Sequence, residues 1–423
     1  MLFICLMMVA VLLIQASASV AAYSYSDAVL LSAGKSILSE YHLALKESYG
    51  IMAFKSYEKE VDSKLGFYIH SSFERKLPGQ VLPSHESLTY LQPSASDISC
   101  DLKEYALADI DVFETQIEDV MKYNVVNLGI DYMSQSGNKG TGNGKKVNTE
   151  WDGKNFAEAQ GTDYGNRKLI NQKITNSLPS KGLNDNGISI TAMVAEGLSS
   201  WKQLYEKENA KFYVNEYALN YFNQRYENIS EQNSFFKNEV EYILYGKLSD
   251  QENAEEFMED FKALHFLLNS IHVGTDPQKR QEVLSLAEIM TPGPEAAITA
   301  GILAETWAYA ETVNDMKLLE SGQKVALIKS KSTWALTLTA ALRGSNGKSY
   351  ISPKSDQGYS YRDYLKLFLY FQNRETKLLR IMDLIQINLK MNADQSFAIK
   401  DCYVGLKYEA SVNGQRYCYV QIY

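Results

Sequence analysis

Apolar positions dominate residues 1–22, broken only by Gln15, Ser17 and Ser19 and by no charge. A run of that length predicts a helix able to cross a bilayer. The period then changes. Through YSDAVLLSAGKSILSEYHLAL, the positions Val29, Ala33, Ile37, Tyr41 and Leu45 recur at helical spacing, which predicts one long helix leaving the membrane as an amphipathic stalk. This stripe is the candidate partner-binding surface.

Beyond the stalk, YGIMAF and KLGFYIHSSF read as strand-like, whereas DVFETQIEDVMKYNVVNLGI places Phe113, Ile117, Val120, Met121 and Leu128 on one helical face. Residues 134–187 lose that order and become dense in Gly, Asn, Ser, Thr and Lys, the composition of a linker. Order returns from Ile188. Ser249-Asp250-Gln251-Glu252 has capping-box form ahead of the face Phe257, Phe261, Leu264, Leu268 and Ile271. Asp276-Pro277 sets an N-cap before a proline at the first helical position. Pro294 begins an Ala-rich run through Trp307, and KVALIK and TWALTLTAAL read as strand-like. Ser360 to Asp363 again has capping-box form, ahead of one long helix over YLKLFLYFQNRETKLLRIMDLIQINL. The chain closes in a hairpin of FAIKDCYVGLKYEAS and QRYCYVQIY, joined at Asn413-Gly414.

The elements predict an α+β protein, mostly helical, with a long N-terminal membrane-anchoring helix, a helical body with short strand regions and a C-terminal β-hairpin. Its expected division is an anchor or signal at 1–22, a stalk and N-terminal α+β part at 23–133, a Gly/Asn-rich linker at 134–187 and a helical domain with the hairpin at 188–423. A cleaved secretory signal is the alternative reading of the anchor, because Ala16-Ser17-Ala18 has the form that signal peptidase accepts. The unbroken passage into the stalk favours retention, with the body extracytoplasmic. No basic residue precedes Lys35, so the positive flank that fixes orientation is missing from the sequence.

Composition narrows the function. A net charge of −9 argues against nucleic acid, whose phosphates need a basic surface. Twenty-nine tyrosines point to a Tyr-rich structural surface rather than an aromatic binding platform. With Cys5 in the apolar run, Cys100, Cys402 and Cys418 remain. A two-residue loop at Asn413-Gly414 pairs Val412 with Gln415, sets Cys418 opposite Glu409 and carries Cys402 past the C-terminus. Three alternatives stay open: a bulged hairpin, a bridge from Cys100 to one of the others, or three buried thiols.

Candidate chemistry is sparse. GNKGTGNGKK invites a phosphate-loop reading, but Lys146 stands where a Ser or Thr would hold magnesium, and no strand leads into it. His265 and His272 lie two helical turns apart, too far for one metal ion, and read as surface or packed histidines. If EVEYILYGK is extended, Glu239 and Glu241 point from one side of a strand, as a general acid and base would require, although an ion-paired edge has the same pattern. No catalytic, cofactor-binding or metal-ligating residue is assigned, and no cofactor is expected.

Five segments, ILSEYHLALKESYGIMAF, DVFETQIEDVMKY, NEVEYILYGKLSDQEN, KVALIKSKSTWAL and YLKLFLYFQNRETKLLRIMDLIQINL, occur in an order that resembles an uncharacterised family of Firmicute single-pass envelope proteins. The resemblance covers nearly the whole chain outside 134–187, and this chain departs from the family's usual start in lacking basic or polar residues before the apolar run. It implies an extracytoplasmic body of unknown function encoded beside Tad/Flp-type pilus or secretion machinery. Pilin-like or secretion-apparatus proteins would then be the partners. The alternative from a different class is a secreted or envelope enzyme or ligand-binding protein whose site is assembled from residues distant in sequence.

Overall fold

A computed structural model describes residues 2–74, 93–135, 177–183, 187–195, 198, 209–229, 234–344 and 350–423, with backbone alone for 2, 74, 124–135 and 209. Helices predominate among them, and the described residues divide into two compact units, Met1–Gln116 with Ala393–Tyr423, and Ile117–Asn392. The C-terminal strands thus return to the N-terminal unit, which a linear reading of domains cannot show. Most of the 134–187 stretch, including GNKGTGNGKK, lies outside the described residues.

The first unit begins with α1, Leu2–Leu38, one continuous helix through Val29, Ala33 and Ile37. This helix ends before Tyr41 and Leu45, which the stalk pattern places on the same helix, because Tyr41 bridges to Phe54 and Leu45 lies on the next helix. The unit continues through α2 (Leu43–Tyr49), β1 (Phe54–Lys55), α3 (Glu58–Glu74) and β2 (Ala95–Asp101), and is completed by β3 (Cys402–Tyr403), β4 (Gly405–Val412) and β5 (Gln415–Ile422). KLGFYIHSSF is helical, not extended: it lies inside α3, where Val61, Leu65 and Ile69 recur every four residues and all face the core. Spacing that puts three apolar residues on one helical face outweighs the β preference of Phe67, Tyr68 and Ile69. β2, β4 and β5 form an antiparallel sheet in that order, and β1 pairs with β3.

The hairpin has the expected register, with Val412 opposite Gln415 and Glu409 opposite Cys418. Asn413 (φ 51°) and Gly414 (φ 84°) both take the left-handed conformation that a two-residue turn matching strand twist requires. All four cysteines are free thiols. Cys402 is buried, with burial pushing its thiol up to about 12, whereas Cys418 is exposed.

α1 and the sheet share one core in which Val29, Leu30, Ala33 and Ile37 meet Val61, Leu65, Leu406, Tyr408 and Tyr417. Each fully buried Leu or Ile there contributes about 2 kcal/mol. The approach is close enough to demand glycine at position 34, where a Cβ would lie 2.5 Å from Gln421 Oε1 and 2.7 Å from the Tyr408 ring.

α4 (Ile110–Gln135) begins in the first unit and continues in the second from Ile117, and Phe113, Ile117 and Met121 on it are buried as their spacing predicts. The second unit continues with α5 (Ile190–Ala195), α6 (Asn209–Tyr221), α7 (Glu239–Tyr245), α8 (Asp250–Thr275), α9 (Pro277–Met290), α10 (Ala296–Glu320), α11 (Leu338–Arg343), α12 (Tyr361–Phe371) and α13 (Arg374–Asn392). The N-cap signals are accurate: Ser249 accepts from Glu252 N, Asp276 accepts from Gln278 and Lys279 N, and Ser360 with Asp363 forms a complete capping box.

Three expectations fail here. EVEYILYGK is the helix α7, ended by Gly246 at φ +66°, because its apolar residues are wanted on every side by α8, α12 and α13. KVALIK forms no strand beyond a single bridge from Val325 to Tyr359, and TWALTLTAAL runs into α11. The last long helix is two, α12 and α13. Gln372 is extended and turns its side-chain amide to donate to Ile243 O and Leu244 O, both at 2.8 Å, which supplies partners for carbonyls at the end of α7. Asn373 then restarts the chain as a helix by accepting from Thr376 N.

Candidate functional site

The acid pair singled out by sequence sits on α7, and both members are buried, Glu239 to 1% and Glu241 to 0% exposure. Two residues apart, they grip alternate backbone amides of one loop. Glu239 accepts from Asn223 N at 2.8 Å and from Asn388 Nδ2 at 2.6 Å; Glu241 accepts from Arg225 N at 3.1 Å and from the Tyr361 hydroxyl at 2.8 Å. Loss of hydration pushes each carboxyl up to about 7, even against these hydrogen bonds. Such values suit acid–base chemistry, yet a group with no exposure meets no substrate, so the geometry makes the pair a clamp on the loop at 223–225.

A larger polar cluster lies between α8 and α10, and the sequence reading missed it. His265 Nδ1 stands 3.0 Å from Asp315 Oδ2, and its Nε2 stands 2.8 Å from the Tyr364 hydroxyl. Burial lowers the His265 pKa below its ordinary value, which favours the neutral ring, and the Tyr364 hydroxyl beside it also donates to Val325 O at 3.1 Å. The Lys329 ammonium, 7% exposed, donates to Asp315 Oδ1 at 2.6 Å, Glu311 Oε1 at 3.0 Å and Thr333 O at 3.2 Å. Glu311 also accepts from Ala335 N and Leu336 N, which fixes the segment leading into α11. The available signal was the pair Glu311 and Asp315, one turn apart within an Ala-rich helix, where two acids on a buried face require a cation. Reading KVALIK as a strand hid Lys329 as that cation.

An aromatic cage adjoins the cluster. Lys279 Nζ stands 4.1 Å from the Trp307 ring centroid and 3.7 Å from that of Trp334, and His272 stacks on Trp334 at 5.2 Å. Both indole N–H groups donate to Leu336 O. Burial between the rings lowers the Lys279 ammonium to about 8. A cage of this form binds organic cations, but here the chain's own lysine fills it.

His265 and His272 therefore belong to separate environments, and among the described residues no group of three or more His, Cys, Asp or Glu side chains is placed to hold a metal ion. Of the candidate stripe, Val29, Ala33, Ile37 and Leu45 are buried in the protein itself and Tyr41 is half-buried beneath Lys46, whose ammonium lies 4.5 Å from its ring centroid. The exposed apolar surface of α1 is its other half, from Phe3 through Ile14 to Val20.

No curated protein and no solved structure matches the chain. A family model does match, over residues 155–414, and so leaves the anchor helix and α3 outside it while reaching the Asn413-Gly414 turn. The matched region includes the acid clamp, the His265 cluster and the tryptophan cage, and the family's description names no pilus or secretion machinery. With more than half its length so matched, the chain belongs to DUF5702, a family of unknown function.

Proposed function

We propose that this protein is a membrane-anchored, extracytoplasmic scaffold whose body serves as a structural or accessory component of an envelope assembly. One observation carries the reading. α1 leaves no residue buried from Phe3 to Val20, then buries Val29, Leu30, Ala33 and Ile37 in the core of the first unit without a break in the helix. A helix apolar on all sides over that length is suited to lipid, and its rigid continuation holds the first unit at a fixed distance from the membrane.

The buried polar clusters support a scaffold over an enzyme, because Glu239, Glu311, Asp315 and Lys329 are each bonded to the fold rather than held toward a ligand. The resemblance noted above gives the reading its most specific form, an accessory of a Tad/Flp-like pilus or secretion apparatus. A partner contact through Val29, Ala33, Ile37 and Leu45 would require the first unit to open, which leaves Tyr41 as the one accessible member of the stripe.

The test is fractionation of the full-length protein from its native cells, with protease added outside. Retention in carbonate-washed membranes and digestion of the body from outside support the proposal. Release as a soluble protein with a new N-terminus near Ser19 overturns it. Cross-linking in intact cells then tests the apparatus: recovery of pilin-like proteins is expected, and recovery of this chain alone removes that specific form.

A further inference from the structure

Contacts inside the first unit fix how far each part of the sheet lies along α1. Tyr417 packs on Tyr23 with ring centroids 5.4 Å apart, and the Tyr419 hydroxyl donates to Asp27. Farther along, Gln421 Nε2 donates to Leu31 O at 3.0 Å and the Tyr423 hydroxyl to Leu38 O at 2.5 Å. β5 therefore runs parallel to α1. The rises agree: Asp27 to Leu38 spans about 16 Å of helix, and Tyr419 to Tyr423 about 13 Å of strand.

The direction matters because the β4–β5 turn precedes Tyr417. Gly414 stands about 10 Å back along the strand from Tyr417, which corresponds to about seven residues of helix. Arg416, one residue before Tyr417, is then level with about Ala21 at the end of the apolar run, and the tip at Gly414 reaches the level of Ala16 and Ser17, alongside the exposed half of α1 rather than its packed half. Gln15, Ser17 and Ser19, the polar residues of the anchor run, fall at this same level.

The chemistry of the turn suits a headgroup layer. Asn413, Gly414, Gln415 and Arg416 are all exposed, and none is acidic. Asn413 is fixed by accepting from Ser94 N at 2.9 Å, so the turn is held rigid. Arg416 has no carboxylate partner among the described residues, and the nearby Asp27 is engaged by Tyr419. Just above lie Tyr23, half-exposed, and Tyr25, whose hydroxyl donates to Ser72 O. Tyr at this depth is the pattern of a membrane–water boundary.

We propose that the β4–β5 turn, Asn413 to Arg416, docks on the lipid headgroups of the bilayer crossed by α1, with the Arg416 guanidinium on lipid phosphate. The inference rests on the membrane-anchored reading, and the occupant follows from continuity with that membrane interface. A planar guanidinium matches phosphate oxygens with paired N–H donors. Docking sets the first unit against the membrane at two points, α1 and the turn, and so fixes its rotation about the anchor.

The test uses full-length protein in mixed phosphatidylcholine and phosphatidylglycerol vesicles, with a fluorescent amino acid placed singly at Val11, Gln415 or Lys400. Lys400 is exposed and lies beside β3, well away from the turn. Headgroup nitroxide lipid should quench the probe at 415 several-fold more than at 400, and aqueous iodide should quench it several-fold less. Arg416→Glu should bring the 415 probe to the value at 400, whereas Arg416→Lys should retain most of the difference. Equal quenching at 415 and 400, with Val11 still quenched by acyl-chain nitroxide, overturns docking and leaves the anchor intact. Loss of acyl-chain quenching at Val11 overturns the anchored reading and docking with it.

Discussion

Glu241→Gln tests the acid clamp, because it removes a proton site while keeping the side chain's shape. The Glu241 carboxyl titrates near 7 in the fold against 4.5 when exposed, raised by loss of hydration. A group whose folded pKa is raised binds its proton more tightly in the fold, so its contribution is present below the unfolded value and is lost as pH climbs through the folded one. From pH 5 to pH 8 that loss amounts to about 2–3 kcal/mol, at 1.36 kcal/mol for each unit. The amide of the variant can still accept from Arg225 N and the Tyr361 hydroxyl, but its NH2 replaces Oε2, which has no partner among the described residues. That substitution costs about 1 kcal/mol at pH 5, where the native group is already uncharged.

The two effects oppose each other, so the sign of the difference should reverse. Glu241→Gln is expected to be less stable than the native protein at pH 5 and more stable at pH 8. Urea unfolding of the full-length chain in detergent, followed by tryptophan fluorescence at several pH values, reads this directly. Glu239, with the same cause and range, contributes equally to both proteins and cancels in the comparison. An equal loss of stability at both pH values would refute the reasoning, since it would mean that Glu241 carries no raised pKa.

The remaining predictions concern the other supports of the fold. Lys329→Met leaves Glu311 and Asp315 buried without their cation and should cost about 3–5 kcal/mol; combining it with Glu311→Gln and Asp315→Asn should recover much of that, and failure to recover any would show that the lysine acts by packing alone. Gly414→Val forces a β-branched residue to φ +84° and should cost about 1–3 kcal/mol, read as accelerated amide exchange across β4 and β5; unchanged exchange would count against the turn geometry. Asn373→Ala removes the N-cap of α13 and should cost about 1 kcal/mol in urea unfolding, whereas a neutral result would mean that tertiary packing alone restarts that helix.

Local signals in the sequence determined much of this protein. The apolar run and its helical continuation require only counting, and α1 follows from them as far as Ile37, though not its end before Tyr41. Side-chain caps at Ser249, Asp276 and Ser360 act within one turn, so their effect is written in adjacent residues. The hairpin likewise follows from Asn413-Gly414, whose backbone conformation sets the register of both strands.

What tertiary structure decided was every choice between a helix and a strand in short apolar runs, and every partner far along the chain. EVEYILYGK and KLGFYIHSSF have enough β-branched and aromatic residues for either state; burial on all sides of α7, and on one face of α3, selected the helix. Where the last helix breaks, the Gln372 amide donates to Ile243 O and Leu244 O, 128 or more residues earlier, carbonyls that the Arg380 guanidinium also reaches. The stripe from Val29 to Leu45 shows the same limit. Its period announced a face to be covered, but only the return of β4 and β5 to the first unit showed that Val29, Ala33 and Ile37 are covered by the protein's own sheet. Lys329 joins Glu311 and Asp315 for the same reason: a charge leaves water only where the fold supplies its counter-charge, and that supply depends on which elements meet.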